Sequence, residues 1–265
     1  LCTTGDAIYD AETNDLSSAA GINSDGAVTI NGGDITIKSI GKAGKGINVT
    51  TDLTISGGEV FVATTGARYE YSSALTSSPK AVKADGNITI SAGKLTIAAT
   101  GKSDGAEGLE CKKKLSISGG DINVYAYDDA ISATEQLTIG NGTVYTYSSA
   151  NDGIDVNGTL TIDGGTVTAI GGQAPEGGID VDVKGKFMIN GGTVVALGGM
   201  MEQQPDAAGK QKSVIVNNLK INKGDKLVAK DANGKEIITL ASPRTFSESS
   251  ICISATGIAT VEKAE

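Results

Sequence analysis

Seven copies of one short pattern fill the first 200 residues of this 265-residue chain, and nothing else in it restricts the fold as strongly. The copies share an apolar pair, a turn, an apolar–Thr–apolar triplet, Gly-Gly and a further alternating stretch, with Ala92-Gly93 and Asn141-Gly142 in place of Gly-Gly in two of them and Ser116 and Met188 in place of Thr in two. The clearest runs Ile154-Asp155-Val156, Leu160-Thr161-Ile162, Gly164-Gly165, Val167-Thr168-Ala169. Anchored on the second glycine, the copies fall at Gly33, Gly58, Gly93, Gly120, Gly142, Gly165 and Gly192. Three short strands fit in each period and no helix does, so stacked β-coils are the architecture to test first. A β-sandwich also uses short strands and turns, but it does not require its strands to resemble one another. Stacked coils place like residues above one another and enforce that resemblance.

Two apolar columns emerge when the copies are aligned. Ile22, Ile47, Val82, Leu109, Ile131, Ile154 and Ile179 form the first; Ser24, Val49, Ala84, Cys111, Ala133, Val156 and Val181 follow two residues on. Strand side chains alternate between faces, so both columns point inward and the residues between them point to solvent. The second strand repeats the rule in Leu53-Thr54-Ile55 through Leu160-Thr161-Ile162, with Thr or Ser outward. The chain is therefore expected to be all-β: a parallel β-helix of about seven coils over residues 1–200, three strands per coil. Residues 201–265 abandon the pattern and are expected to form a C-terminal β cap packed on the helix end. Ser213 to Val216, Lys226 to Ala229, Ile237 to Leu240 and Ile251 to Ser254 read as its strands, and Asp231-Ala232-Asn233-Gly234 as a hairpin turn.

Two copies carry a longer loop with matching landmarks, Tyr9-Asp10 with Ser17-Ser18 and Tyr69-Glu70 with Ser77-Ser78. They are expected to project side by side, one coil apart. Thr3-Thr4-Gly5 matches the third-strand ending Thr64-Thr65-Gly66, so the chain is expected to start inside a coil and to have lost a longer native N-terminus.

Composition excludes several functions. The chain has no His, which removes the commonest general base and metal ligand. Its formal charge of −9 argues against nucleic acid or an anionic membrane as partner and is compatible with cations. Cys2, Cys111 and Cys252 have neither disulfide nor zinc spacing. No apolar run is long enough to span a membrane. Leu1-Cys2 invites a lipoprotein reading, although the residue before an acylated cysteine is normally small.

Function is written where the copies disagree. The outward residue beside each first-strand anchor runs Asn23, Asn48, Lys83, Glu110, Ser132, Asp155, Asp180; two residues before the anchor come Ala20, Lys45, Lys80, Glu107, Asp129, Asp152, Gly177. Asp128 and Glu176 join them one residue earlier. Acids thus collect in four consecutive coils that stack about 4.8 Å apart. Like charges that close repel by roughly 1 kcal/mol in water and about 3–4 kcal/mol at an effective dielectric near 20. A hard oxygen cage of this kind suits Ca²⁺. Glu110, Asp128, Asp129, Asp152 and Asp155 are the expected metal ligands, with Glu107, Glu176 and Asp180 peripheral. The plainer reading is a solvated acidic face. Tyr125, Tyr127, Tyr145 and Tyr147 crowd the same coils, as a platform for sugar rings or a mutual stack. Lys83 and Tyr69 complete the expected ligand-binding set, Lys83 either as a base beside the metal or as the charge partner of a neighbour.

The run Glu107-Gly108-Leu109-Glu110, Leu115 to Gly120, and Tyr127-Asp128-Asp129-Ala130-Ile131-Ser132-Ala133 resembles a family of secreted bacterial carbohydrate-binding right-handed β-helices. Tyr9-Asp10 with Ser24-Asp25-Gly26, and the tail Ser242-Pro243-Arg244-Thr245-Phe246-Ser247, share the likeness. That family looks like pectate lyases without lyase activity. The resemblance implies a monomeric protein, extracellular or at a bacterial cell surface, that carries calcium on Asp128, Asp129 and Glu110 and binds acidic polysaccharide such as polygalacturonate. Ala130 and Leu109 depart from the family pattern without removing a carboxylate. The competing expectations are a calcium-dependent polysaccharide lyase and a structural adhesin or stalk.

Overall fold

The computed structural model describes residues 1–264 and contains only strands, turns and loops among them. The seven first strands form one parallel ladder, from Ala20–Ser24 through Lys45–Val49, Lys80–Ala84, Glu107–Cys111, Ile131–Ala133 and Ile154–Val156 to Ile179–Val181. The second and third strands of each coil belong to a single 15-stranded sheet, because Leu53–Thr64 and Ile88–Ala99 each run unbroken through the glycine corner, Gly57-Gly58 in one and Ala92-Gly93 in the other. The expected parallel β-helix of about seven coils is therefore the observed fold. Asn23, Asn48, Lys83, Glu110, Ser132, Asp155 and Asp180 are consecutive partners in the first ladder, the register read from the repeat.

The inward columns are buried from Ile47 and Val49 onward, and Cys111 sits among them as a small core residue. Each fully buried Leu or Ile contributes about 1.5–3 kcal/mol, so the repeat is its own source of stability. The Gly-Gly corners hold because their second glycine has positive φ, +80° at Gly165. A Cβ there would lie 2.6 Å from the Gly142 carbonyl oxygen of the coil below. Cys2 and Thr3 pair in parallel with Lys38 and Ser39, and Ser39 with Thr64, the equivalence that the shared Thr-Thr-Gly ending indicated.

The two long loops are antiparallel hairpins, Ile8–Asp10 with Asp15–Ser17 and Tyr69–Ser72 with Leu75–Ser77. They stand two coils apart rather than one, since Ala20 pairs with Lys45 and Lys45 with Lys80. They nevertheless meet over the coil between them. Tyr9 and Tyr71 stack with ring centroids 4.1 Å apart and planes 8° apart, and the Ser18 and Ser77 hydroxyls lie 3.2 Å apart.

The C-terminal region does more than close the end. Ser250–Ser254 adds antiparallel to Thr193–Gly198 and carries Ser213–Val216 on its other edge. Lys226–Asp231 pairs with Glu236–Ala241 and with Ile258–Lys263, a strand the sequence pattern did not reveal. The polar segment 200–211 bonds the last second strand through Asp206 N–H to Phe187 O (2.6 Å) and Gln211 N–H to Ile189 O (3.0 Å). A second core, with Phe246, Ile221, Leu227 and Ile258, covers the outward side chains of Ile170, Val195 and Leu197. The cap thus also lies along a face of the helix.

Arg244 fastens it there. One guanidinium nitrogen donates to the carbonyls of Ser148 (3.1 Å), Ser149 (3.2 Å) and Gly171 (3.2 Å), while the group lies 5.8 Å from the Tyr147 ring centroid and 5.5 Å from that of Phe246. Charged hydrogen bonds contribute about 1.5–3 kcal/mol and each cation–π contact about 0.5–1. We expect Arg244→Ala to lower unfolding free energy by about 2–3 kcal/mol in urea titrations, and Arg244→Lys to recover less than half of it. Unchanged stability of the alanine variant would remove this residue from the account of the cap.

Candidate functional site

The outward face of the first-strand ladder changes character along its length. Its N-terminal third carries Asn23, Asn48 and Lys45, its middle a lysine–glutamate network, and its C-terminal third only acids and Ser132. In the middle, Lys80 Nζ lies 2.5 Å from Glu107 Oε1 and 3.4 Å from Glu110 Oε1, and Lys112 pairs with Glu110 as well. Burial alone would raise the Glu110 carboxyl, but Lys80 and Lys112 override it and hold it below its ordinary value. Glu107 shares Lys80 and is more weakly compensated, so burial pushes it up to about 7. Glu110 therefore stands in an ion-pair network, unlike the other expected metal ligands. Both lysines meet Oε1, and Oε2 stays buried without a hydrogen-bond partner. Lys83 does not pair with Glu110; its Nζ lies 2.6 Å from Asp85 Oδ1.

The acids further along have no such compensation. Among the described residues no Lys or Arg forms an ion pair with Asp128, Asp129, Asp152, Asp155 or Asp180. Asp129 and Asp152 are only 9% and 7% exposed. Burial, followed by the neighbouring Asp155, Asp128 and Asp152 charges, raises Asp129 to about 9. Burial raises Asp152 to about 7 against the opposing Gly177 N–H, with Asp180 and Glu176 adding to the rise. Asp155 is raised to about 6 by burial and then by Asp180 and Asp128.

Backbone amides at the coil corners orient these side chains. Asp129 Oδ1 accepts from Asp152 N–H (3.1 Å), and Asp152 Oδ1 from Gly177 N–H (2.5 Å), so each aspartate ties its corner to the next. Asp128 accepts from Gly105 N–H and, at 2.6 Å, from the Asn151 amide. Ser148 closes the cluster by donating to the Asp128 carbonyl (2.6 Å) and accepting Asn151 N–H (2.9 Å). Its own carbonyl is one that Arg244 holds, so the cap braces the acidic corner.

Beside this corner Asp155 and Asp180 line a groove of about 270 Å³ with Asn157, Asp182 and Glu202. Asp180 Oδ1 is buried there with no hydrogen-bond donor. Asp182 was legible, since it lies two residues after Asp180 on the outward side of the strand. Glu202 was not, because it comes from the segment after the last repeat. The donor set is all hard oxygen, as calcium requires. As the side chains stand, no three acidic or thiol groups among the described residues converge on one point, so a cation would have to draw the carboxylates together.

The tyrosines divide. Tyr125 is 40% exposed and tilts against Tyr145 at 5.8 Å between centroids. Tyr145 and Tyr147 pack against the second core, and Tyr147 also meets Arg244, so these two mainly seat the cap. Tyr127 is half-buried at the corner before Asp128, and Tyr69 lies on the second hairpin opposite Ser77, away from the acids. The cap thus packs on Tyr145 and Tyr147 and leaves the Tyr125 ring open to solvent.

Residues 72–151 match a family model described as a carbohydrate-binding domain-containing protein, and residues 160–180 match one described as a beta helix repeat. No curated protein and no solved structure matches the chain. The first match takes in Lys80, Glu107, Glu110, Asp128 and Asp129. The second runs from the second strand of the sixth coil to the first strand of the seventh.

Proposed function

We propose that this chain is a non-catalytic, calcium-dependent binder of acidic polysaccharide, displayed outside a bacterial cell. One observation carries the reading: Asp129 on the fifth coil and Asp152 and Asp155 on the sixth stand on neighbouring coils, largely buried and mutually repelling, with no Lys or Arg ion-paired to them among the described residues. Such a column is unfavourable at neutral pH unless a cation joins it. The similarity to carbohydrate-binding proteins over residues 72–151 supports a sugar ligand.

Asp128, Asp129, Asp152, Asp155 and Asp180 would hold the ion. Bound calcium would supply the positive charge through which a protein of formal charge −9 attracts an anionic polymer. Corner amides and Ser148 hold the carboxylates in place, and exposed Tyr125 offers a ring face around the corner. A lyase would need a free base and an arginine near the acids. Lys83 is paired with Asp85, Arg68 bonds the second hairpin, and Arg244, which stands at the Ser148 corner, commits Nη1 to three backbone carbonyls.

Titration of polygalacturonate by calorimetry tests the reading. With calcium present we expect affinity at least a hundredfold above that in EDTA, about 2.8 kcal/mol, and no unsaturated product by absorbance. Equal affinity in EDTA would sink the calcium mechanism, and product formation would turn the protein into a lyase.

A further inference from the structure

At the other end of the same face lies a cleft of about 520 Å³ that the acidic site does not touch. Its floor is the outward surface of the first three coils, with Asn23, Asn48, Lys45 and Lys83. Its wall is the foot of the first hairpin, joined by Ser77 of the second. The Tyr9–Tyr71 stack and the Ser18–Ser77 contact lock the two hairpins together, so the wall is a built surface.

Lys45 is the unusual member. Lys80 is neutralised by Glu107 and Glu110, and Lys83 by Asp85. Among the described residues Lys45 has no carboxylate within ion-pair distance; its Nζ donates to the backbone carbonyl of Ser78. Burial, and then the positive charges of Lys80 and Lys83, bring its pKa down to about 8. A largely buried ammonium with two N–H donors to spare is completed by an anion. Around it, Asn48 donates to Asn23 at 2.8 Å, which leaves one amide carbonyl and one NH₂ for a ligand. Asp15 and Asp25 also line the cleft and can only accept hydrogen bonds when ionised. They disfavour a bare anion and suit a ligand that carries one negative group among several hydroxyls.

We propose that this cleft is a calcium-independent subsite for a single uronic acid residue, with its carboxylate on Lys45 and its hydroxyls on Asn23, Asn48, Asp15 and Asp25. The choice of a uronic acid rests on the acidic-polysaccharide reading above. Both sites lie on one face, so one polymer chain would meet a lysine at one end of the ladder and calcium at the other.

Calorimetry with tetragalacturonate separates the two sites. In EDTA we expect weak binding by the wild type and at least a tenfold loss in Lys45→Met. The gain in affinity on adding calcium should persist in that variant. Absence of wild-type binding in EDTA, or equal binding by the variant, overturns the cleft and leaves the calcium arm untouched. Binding in EDTA with no gain from calcium overturns the acidic site and leaves the cleft standing. Methionine keeps the length of the side chain and removes a buried charge, so folding should survive; Lys45→Gln provides the same readout otherwise. Wild-type crystals soaked with galacturonate in EDTA give an independent result, with a carboxylate at Lys45 Nζ supporting the site and an empty cleft overturning it.

Discussion

Calcium-free protein will be more stable at pH 5 than at pH 8, and Asp129→Asn combined with Asp152→Asn will erase most of that difference. An ordinary aspartate behaves in the opposite way. Here the folded carboxyls of Asp129, Asp152 and Asp155 sit at about 9, 7 and 6, against 3.8 for a free aspartate. Above pH 4 the unfolded chain gives up these protons while the folded protein retains them. Stability therefore falls as pH rises, until each group has passed its folded value. Glu107, raised to about 7, adds to the trend. Lys45 titrates in the opposite sense, but its value of about 8 puts most of its effect above this window. One pKa unit corresponds to about 1.36 kcal/mol, and relaxation of side chains toward water reduces the total, which leaves on the order of 3–5 kcal/mol between pH 5 and 8.

At roughly 2–4 °C per kcal/mol this is a fall of about 10 °C in melting temperature. Asparagine keeps the oxygen that accepts from the Asp152 and Gly177 amides, so the double variant loses charge without losing these bonds. Calcium at a hundred times its Kd should return about 2.7 kcal/mol to the wild type at pH 8 and little to the variant. Melting curves in EDTA at the two pH values, repeated with calcium, decide the matter. A wild type that is more stable at pH 8 in EDTA would show that these carboxyls are ionised without penalty.

Gly165→Ala will cost about 4 kcal/mol or more, whereas Gly33→Ala will cost about 1–2. Both glycines hold the left-handed conformation, at φ of +80° and +86°. A Cβ on Gly33 meets nothing within 4 Å and pays only for the backbone conformation. A Cβ on Gly165 lies 2.6 Å from the Gly142 carbonyl oxygen and 2.9 Å from the Asn141 carbonyl carbon, so two coils must separate. Denaturant unfolding of the two variants compares strain with collision directly. Equal costs would mean that the stacked coils yield more easily than their spacing implies.

Much of the site was legible because a β-helix transcribes sequence into columns. The outward partners of Ile154 and Ile179 had to be Asp155 and Asp180 once those apolar residues were assigned to the core. Glu110 shows the limit. Its column position was right, but its charge state depends on Lys80 from the coil before and Lys112 from the same strand's end. The spread of side chains between coils is not encoded in the repeat. Tyr145 and Tyr147 show it too: the pattern makes them outward, but only the path of the cap decides whether outward means solvent.

The sequence by itself determined the coils, their register and the placing of acids on one face, because alternation and glycine conformation are local rules repeated seven times. Only the tertiary structure decided which charges are compensated, which tyrosines are covered and where a cleft forms. Those outcomes depend on segments far apart in the chain, such as Arg244 at the corner of Ser148 and the two hairpins meeting over Lys45. No period in the sequence relates such segments; they meet only when burial of Phe246 and stacking of Tyr9 on Tyr71 bring them together.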